Sequence, residues 1–416
     1  MRKPQTIERL YLDFDGFFAS VMQQAMPEIR NKPVGVVPFE DAGNSTVVIA
    51  CSKEAKARGV KNVMPVPEAK ERCPDIILVT QRPDLFVRAN NQLLNEIECE
   101  IPIDTIKSID ELTCVLDGRD IANPLGMARR LKNRLRTNLG EHITCSIGFA
   151  ANRFLAKVAC KMDKPNGVTI WHPEDMPGPI LPLPFDDIPG IGSRMAMRLN
   201  AAGIFTMSDL WATQPKQLRT LWGSVTGERF WYALHGYEVQ AQPTDRGMFG
   251  HARVLPPSWR SLDKARDCSR LLLTKAARRM RREEFYANSV SLWLSHYDGG
   301  WSASRSLPCV NDDHACLSAL EALWRKARTE VKPTAKVVRV GATLTNLRKA
   351  NARQLDMFVK DDAQRLKWER LTSVTDYLNL KFGKRVISLG HWTLPPGDYL
   401  GAKIAYNRVP DSEDFL

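Results

Sequence analysis

The stretch from Ile7 to Phe18, IERLYLDFDGFF, decides how the chain is interpreted. Its apolar and aromatic run predicts a buried strand, and residues 16–24 predict the helix that follows. The strand ends in two acids, Asp13 and Asp15. Taken alone, such a pair is explained more simply as a solvated turn, so its meaning depends on what lies beside it.

A second acidic pair, Asp110-Glu111, lies between two predicted strands, 104–109 and 112–117. If these strands neighbour the first one, Asp13, Asp110 and Glu111 converge at one edge of a sheet. Three carboxylates so close repel one another unless cations lie among them, and Mg²⁺ prefers such oxygen ligands. Two ions, about 3.5–4 Å apart, can hold the attacking and leaving oxygens of a phosphoryl transfer.

The other patterns predict a multidomain α+β chain. Near the acids we expect a hairpin at 33–50, helices at 52–58, 65–72, 83–100 and 124–138, and a strand at 143–150. With 25–80 set aside as an insertion, the order becomes βαββαβ, a sheet with helices on one face. After a proline-rich boundary at 177–189, residues 190–240 have helical patterns throughout.

A second βαββαβ unit begins near residue 250. Its predicted elements are a strand, a helix at 261–284, strands at 288–296 and 301–307, a helix at 312–330 and a strand at 336–346. The chain after residue 350 is polar, with one helical segment near 363–382.

The positive charge of the chain is concentrated in this second unit. Residues 246–350 hold 20 Lys and Arg against 9 Asp and Glu, whereas the net charge of all 416 residues is only +12. A surface that binds phosphates has this property. A solvated basic face explains the charge equally well, and charge alone does not decide between the two.

Composition also excludes several classes. No run approaches the roughly 18 apolar residues of a membrane span, and the first residues lack the apolar core of a secretory signal. The nine cysteines include no Cys-x-x-Cys pair, and the seven histidines are dispersed. We therefore expect a cytoplasmic protein without disulfides, histidine-bound metal or membrane contact.

Five motifs in this order resemble the Y-family translesion DNA polymerases of the DinB/UmuC type. They are Tyr11 to Phe18, Ser108 to Glu111, Cys145 to Gly167, Pro189 to Gly192, and Gln354 to Phe358. The resemblance implies a right-hand polymerase with a βαββαβ palm, small inserted fingers, an all-helical helix-hairpin-helix thumb and a βαββαβ little finger. The implied domains are palm 1–24 and 81–180, fingers 25–80, thumb 181–243, little finger 244–350, and a tail, 351–416.

The resemblance also assigns the acids. Asp13, Asp110 and Glu111 match the metal-binding carboxylates, and Phe14 offers its backbone carbonyl, so two Mg²⁺ ions are expected. Asp15 matches an acid that is not usually a ligand. Phe18 matches the steric gate, a ring that lies where a ribose 2′-OH would project. Without the resemblance, Phe18 would be read as a plain core aromatic.

Three lysines are expected at the incoming nucleotide. Lys164 matches a residue that meets the triphosphate, a role that suits a compact ammonium. Lys53 and Lys56 stand where the family commonly has Tyr and Arg. This departure keeps the positive charge but loses the hydroxyl contact and the guanidinium fork, and a solvated lysine remains an alternative for Lys53.

DNA contacts are expected from two further places. Gly190 and Gly192 resemble a helix-hairpin-helix turn, in which backbone N–H groups approach a phosphate. In the second unit, Lys336 and Arg339, and separately Arg305 between two serines, are expected to direct charge from a sheet face.

The segment Gln354-Leu355-Asp356-Met357-Phe358 resembles the peptide by which bacterial polymerases dock on the sliding clamp. Its apolar residues in a polar stretch are typical of a partner site. The alternative is that Leu355, Met357 and Phe358 fold back onto their own domain.

The resulting expectation is a template-directed, low-fidelity polymerase without proofreading, which adds dNTPs to primer-template DNA in DNA damage tolerance. A catalytically silent DNA-binding adaptor is the main alternative, and a palm-fold nucleotidyl cyclase is another. The resemblance leaves DinB and UmuC both open, and a UmuC-type enzyme would need a UmuD-like accessory protein.

Overall fold

The computed structural model describes residues 1–38, 46–240, 245–352 and 362–390. These residues form two compact units that are divided between positions 240 and 245.

The first unit is built on a five-stranded sheet with the order β10-β9-β1-β8-β7. Its strands are β1 (Arg9–Phe14), β7 (Ile103–Ile106), β8 (Glu111–Val115), β9 (Cys145–Ala150) and β10 (Val168–Ile170). Strand β1 is central, and its apolar side chains are buried on both faces, which explains its nearly continuous hydrophobic sequence. It pairs antiparallel with β8 and β9, so that Asp13 lies opposite both Glu111 and Ser146.

Five helices accompany this sheet. They are α1 (Phe17–Ala25), α4 (Pro83–Glu98), α5 (Gly118–Ala122), α6 (Pro124–Leu139) and α7 (Arg153–Met162). Helix α7 packs closely on β9, because Gly148 has no side chain to hold the two apart. Asn152 begins this helix, and its side chain accepts a hydrogen bond from the backbone N–H of Leu155 at 2.8 Å.

The inserted region forms smaller sheets instead of the simple hairpin expected at 33–50. Its elements are β2 (Val34–Val37), β3 (Val47–Val48), β4 (Ala50–Cys51), α2 (Lys53–Ala57), β5 (Met64–Pro65), α3 (Val66–Arg72) and β6 (Ile77–Thr80). Strand β2 pairs antiparallel with β4, as a hairpin would, but it also pairs in parallel with β6, while β3 pairs with β5. The buried valines of β2 need neighbours on both sides, and a two-stranded hairpin does not supply them.

The region predicted as helical, residues 190–240, contains four helices that are joined by short turns. The helices are α8 (Ser193–Ala201), α9 (Met207–Trp211), α10 (Pro215–Trp222) and α11 (Val225–Leu234). Their apolar residues join a core cluster that also contains Tyr11 and Ala159, so these helices pack against the same part of the unit as α7.

The second unit has a four-stranded sheet with the order β11-β14-β12-β13. The strands are β11 (Met248–Val254), β12 (Phe285–His296), β13 (Gly299–Val310) and β14 (Val337–Lys349). Helices α12 (Leu262–Arg282) and α13 (Asp313–Glu330) cover one face and form the core with it. A further helix, α14 (Asp362–Lys381), packs against α13.

The expected α+β multidomain fold is confirmed, and the differences are local. Asp110 lies in the turn between β7 and β8, but Glu111 is already the first residue of β8. Strands β6 and β10 were not predicted, because each is only three or four residues long and half-buried. None of the helices in the described part of the chain combines the length and the apolar character that a membrane span requires.

Candidate active site

The three acids lie at one end of the first sheet. Asp13 is the cross-strand neighbour of Glu111, and the backbone N–H of Phe14 donates to the carbonyl of Asp110 at 2.8 Å. The structure therefore brings together the residues that the sequence predicts as one group. The antiparallel pairing of β1 and β8 is what unites positions almost one hundred residues apart.

Each carboxylate also has a partner of its own. Asp13 forms an ion pair with Lys164, and the hydroxyl of Ser108 donates to Asp110. Glu111 accepts hydrogen bonds from Lys157, whose Nζ is 2.8 Å from both carboxylate oxygens. Among the residues that the structure describes, no three His, Cys, Asp or Glu side chains are gathered as a group that could hold a metal ion.

Burial and charge set the pKa values of these acids. Burial raises the pKa of Asp13 to about 6, with Lys164 opposing the rise and the neighbouring Asp110 and Glu111 adding to it. Burial likewise raises the pKa of Asp110, against the hydrogen bond from Ser108. Burial also acts to raise the pKa of Glu111, but the hydrogen bonds and charge of Lys157 outweigh it, and that pKa is lowered.

Sequence reasoning missed two members of this cluster, Tyr11 and Lys157. The Tyr11 hydroxyl donates to Glu111 at 2.8 Å and lies 3.0 Å from the Nζ of Lys157. Strand alternation contained the signal for the tyrosine, since Tyr11 and Asp13 are two residues apart and share a face. Lys157 lies within the motif from Cys145 to Gly167, but only the packing of α7 on the sheet shows what it contacts.

Asp15 has a different environment from Asp13. Its carboxylate accepts hydrogen bonds from the hydroxyls of Thr144 at 2.9 Å and Ser146 at 2.8 Å, and from the backbone N–H of Asn166 at 2.8 Å. These three donors agree with leaving Asp15 out of the ligand set.

Phe18 is half-buried and Phe17 is fully buried. The ring of Phe18 packs against Phe86, with 4.7 Å between centroids, and against Phe17 at 5.6 Å. Phe17 is therefore a core residue, whereas Phe18 is supported on one side and keeps part of its surface exposed.

Lys53 and Lys56 lie on α2, whose first turn is capped by Ser52. Both side chains are exposed. A Cβ placed on Gly16 would be 3.9 Å from the Nζ of Lys56, so this ammonium reaches the start of α1. The Nζ of Lys53 lies 4.0 Å from a carboxylate oxygen of Glu54, its neighbour in the chain, and the solvated alternative for Lys53 stays open.

The two glycines of the helix-hairpin-helix motif differ. Gly190 has a φ of +93°, a conformation that favours glycine, whereas Gly192 has an ordinary extended conformation just before α8. No side chain caps the N-terminus of α8.

The basic residues of the second sheet do not share one face. Arg305 pairs with Val290, whose buried side chain faces the helices, so Arg305 lies on the helix-facing side of edge strand β13. Arg339 pairs with Ser295 on the opposite face and lies over the ring of Trp293 at 5.5 Å. Lys336 lies immediately before β14, which begins at Val337, and its contact with DNA stays a prediction.

The predicted clamp segment, Gln354 to Phe358, lies outside the described residues.

Comparisons with known proteins agree with this geometry. Residues 12–161 match the model of the impB/mucB/samB family, and residues 246–357 match the C-terminal domain of that family. Residues 186–238 match the thumb domain of DNA polymerase-iota. DNA polymerase IV of Moorella thermoacetica is 33% identical over 389 residues, which cover 91% of this chain and 94% of that protein. The chain belongs to the Y-family of DNA polymerases.

Other relatives of this Y-family polymerase agree. DNA polymerase IV 1 of Bacillus subtilis is 29% identical over 91% of this chain and 92% of its own length. A solved Y-family chimera of Dbh and Dpo4 has the same fold, with a TM-score of 0.68 and 24% identity over 82% of this chain and 99% of that one. The protein is thus a DNA-directed DNA polymerase of the translesion type, and the alternative of a silent adaptor is not favoured.

The oxygen donors of this Y-family polymerase are of the kind that hard divalent cations prefer, but Asp13 and Glu111 are paired with Lys164 and Lys157, so the carboxylates are not arranged around a common point. Three carboxylates lie at one sheet end, and the ionised forms of Asp13 and Asp110 are disfavoured there by burial and by neighbouring negative charge. A cation among them would stabilise those ionised forms.

Proposed function

We propose that this polymerase extends a primer by two-metal catalysis with Mg²⁺, held by Asp13, Asp110, Glu111 and the carbonyl of Phe14. The observation that carries the proposal is the register that puts Asp13 opposite Glu111 at the end of the central strand. The 3′-oxygen of the primer attacks the α-phosphate of a dNTP, the bond to the β-phosphate oxygen breaks, and pyrophosphate leaves. When bound, the ions neutralise the phosphates and hold the reacting oxygens in line.

The chain's own residues then position the nucleotide. Lys164 is paired with Asp13, the Nζ of Lys56 lies near Gly16, and both supply positive charge for the triphosphate. No side chain caps the N-terminus of α1, and the positive end of this helix dipole favours an anionic group such as a phosphate. The ammonium of Lys164 has to exchange Asp13 for a phosphate oxygen when the nucleotide binds.

Phe18 is proposed to select the sugar. Its ring is fixed by Phe86 and Phe17, so it does not yield easily to an added atom. A ribose 2′-OH against this face meets both a steric barrier and an apolar surface that offers no hydrogen bond.

The remaining assignments concern the substrates and partners. We propose that primer-template DNA is bound through the Gly190 turn and through the second unit, whose face with Arg339 is not covered by α12 or α13. The palm would be formed by residues 1–24 and 81–180, the fingers by 25–80, the thumb by 181–243 and the little finger by 244–350. Residues 354–358 would dock on a sliding clamp in the bacterial cytoplasm, where the DNA lies. A UmuD-like partner stays a prediction without structural support.

The test is single-nucleotide extension by Asp110→Ala and Glu111→Ala. Each variant is expected to lose nucleotide addition in Mg²⁺ while it binds primer-template DNA normally, because these side chains hold ions and not DNA. Glu141→Ala is the matched control, since Glu141 is an exposed carboxylate of the same unit. Near-normal extension by Asp110→Ala or Glu111→Ala would refute the assignment.

A further inference from the structure

Asp15 and Asp13 contact the same turn at two different points. The turn follows α7 and contains Lys164, Asn166 and Gly167. Asp13 holds the side chain of Lys164, and two residues later Asp15 accepts from the backbone N–H of Asn166. The first contact involves a side chain that is free to change partner, whereas the second holds the main chain.

The carboxylate of Asp15 is well suited to hold a turn. It accepts three hydrogen bonds, from Thr144, Ser146 and Asn166, at 2.8–2.9 Å. Its own backbone is fixed as well, because its N–H donates to the carbonyl of Thr144 at 2.9 Å and its carbonyl accepts from Ser20 at 2.6 Å. Hydrogen bonds to a charged acceptor are among the stronger ones in proteins.

The other side of the turn is held by Lys132 of α6. Its Nζ donates to the backbone carbonyl and to the side-chain oxygen of Asn166, the latter at 3.1 Å, and to the carbonyl of Gly167 at 3.0 Å. Asn166 has a φ of +61°, and a Cβ on Gly167 would collide with the carbonyl of Asp163 at 1.7 Å. The turn is thus tight, and it is held by two oppositely charged side chains, Asp15 and Lys132.

We propose that Asp15 is a positioning residue for the nucleotide: its carboxylate holds the turn at Asn166, so that Lys164 stays in reach of the triphosphate after it releases Asp13. The inference rests on the proposed function, because it assumes that Lys164 binds phosphate. It gives Asp15 a role that needs neither metal ligation nor contact with the substrate.

The variants Asp15→Asn and Asp15→Ala separate two properties of the carboxylate, its hydrogen bonds to the turn and its negative charge. In Asp15→Asn, the amide oxygen can accept from Asn166 and Thr144 while the amide nitrogen donates to Ser146, whose hydroxyl also accepts. This variant therefore keeps the hydrogen bonds that hold the turn and loses the negative charge. Asp15→Ala loses both.

The first measurement is hydrogen–deuterium exchange of residues 163–167 in the full chain. In Asp15→Ala we expect the amide of Asn166 to exchange roughly tenfold faster or more, because it loses a charge-assisted hydrogen bond. Asp15→Asn, which keeps the hydrogen bond but not its charge, should exchange less than about threefold faster than the wild type, and the control Asp186→Ala, an exposed carboxylate of the same unit, should exchange like the wild type. Unchanged protection in Asp15→Ala would overturn the proposal, and thermal unfolding of each variant verifies that it is folded.

The second measurement is a double-mutant cycle on dNTP affinity, with a dideoxy-terminated primer so that no chemistry occurs. Asp15→Ala should weaken dNTP binding roughly tenfold and Asp15→Asn by less than about threefold. In the background of Lys164→Ala, Asp15→Ala should add almost nothing, because it acts through that lysine. The proposal would be overturned if the losses of dNTP affinity in the two single variants multiplied in the double variant. It would also be overturned if Asp15→Asn weakened dNTP binding as much as Asp15→Ala.

The lysine variant also separates the inference from the function on which it rests. If Lys164→Ala bound dNTP like the wild type, the assigned role of Lys164 would fail, and the use that we assign to Asp15 would fail with it. If Lys164→Ala weakened binding but the effect of Asp15→Ala were additive, the role of Lys164 would stand and only the inference about Asp15 would be refuted.

Discussion

Gly148 sets the distance between strand β9 and helix α7, and Gly148→Ala tests this directly. A Cβ at this position would lie 2.2 Å from the carbonyl oxygen of Ala156 and 2.3 Å from the backbone nitrogen of Cys160, whereas ordinary contact begins at 3.4 Å. The helix must therefore retreat by about 1.2 Å, because both obstacles are backbone atoms that no rotamer change can move.

The expected effect follows from that displacement. Overpacking typically costs about 1–3 kcal/mol, and a clash with backbone belongs at the upper end of that range. Helix α7 carries Lys157 and leads into the turn with Lys164, and a displacement of ~1 Å at a site can cost about 100-fold in rate. We expect Gly148→Ala to lower the free energy of unfolding by about 3 kcal/mol and the rate of single-nucleotide extension by about 100-fold.

Gly118→Ala is the matched control, because a Cβ on Gly118 meets no atom within 4 Å. Its unfolding free energy should change by no more than about 0.5 kcal/mol. Urea unfolding followed by circular dichroism and extension of a labelled primer measure the two quantities. If Gly148→Ala matched Gly118→Ala in both assays, the close packing of α7 on the sheet would be refuted.

Three further outcomes are expected. Phe18→Ala should raise the incorporation of ribonucleotides relative to deoxynucleotides by roughly one to two orders of magnitude, measured by steady-state kinetics with each nucleotide; unchanged discrimination would make the ring a core residue only. Leu355→Ala combined with Phe358→Ala should remove stimulation by the sliding clamp and leave clamp-free extension almost intact, and equal losses in both assays would show that these residues serve folding. Ser269→Ala should destabilise the second unit by about 1–3 kcal/mol in urea unfolding, because the buried indole N–H of Trp324 loses its acceptor at 2.8 Å; a neutral result would mean that another acceptor replaces it.

The central strand and the acid cluster could be predicted from the sequence, because the apolar pattern and the positions of the acids indicate the same arrangement. An apolar run ending in acids is typical of a buried strand whose end reaches a site, and a second acidic pair between two strands supplies the neighbour. The partners of the acids were not accessible in the same way. Lys157 contacts Glu111 only because α7 crosses the sheet at a distance that Gly148 permits.

Sheet faces were harder to predict than strands. The side on which Arg305 lies depends on its register with Val290, and the pairing of β12 with β13 shifts between Ala287 and Ser289. The shift amounts to two residues, because Ala287 pairs with Val310 whereas Ser289 pairs with Ser306, and the local sequence does not show such an irregularity. Pairing between distant segments sets this register, so the local pattern around Arg305 did not reveal it.

The attachment of α14 was hidden for a different reason, since the face that it buries is polar. Arg365, Thr372 and Asn379 are buried at intervals of seven residues, while Val374 and Tyr377 are exposed. A search for an apolar stripe therefore finds the wrong side of the helix. The segment looks like part of a polar tail until its contacts with α13 are seen.

Arg281, at the end of α12, ties this helix to the rest of the second unit. Its guanidinium is buried, donates to Asp313 at 2.9 Å and to Asp376 of α14 at 2.7 Å, and also reaches the carbonyl of Asn311 at 2.7 Å. The match to the family model ends at residue 357, yet one of the two acids that neutralise this cation lies nineteen positions further on. A shortened version of the protein that stops where the family model stops would keep the arginine and discard half of its counter-charge, so the natural place to end an expression fragment of this unit lies beyond α14.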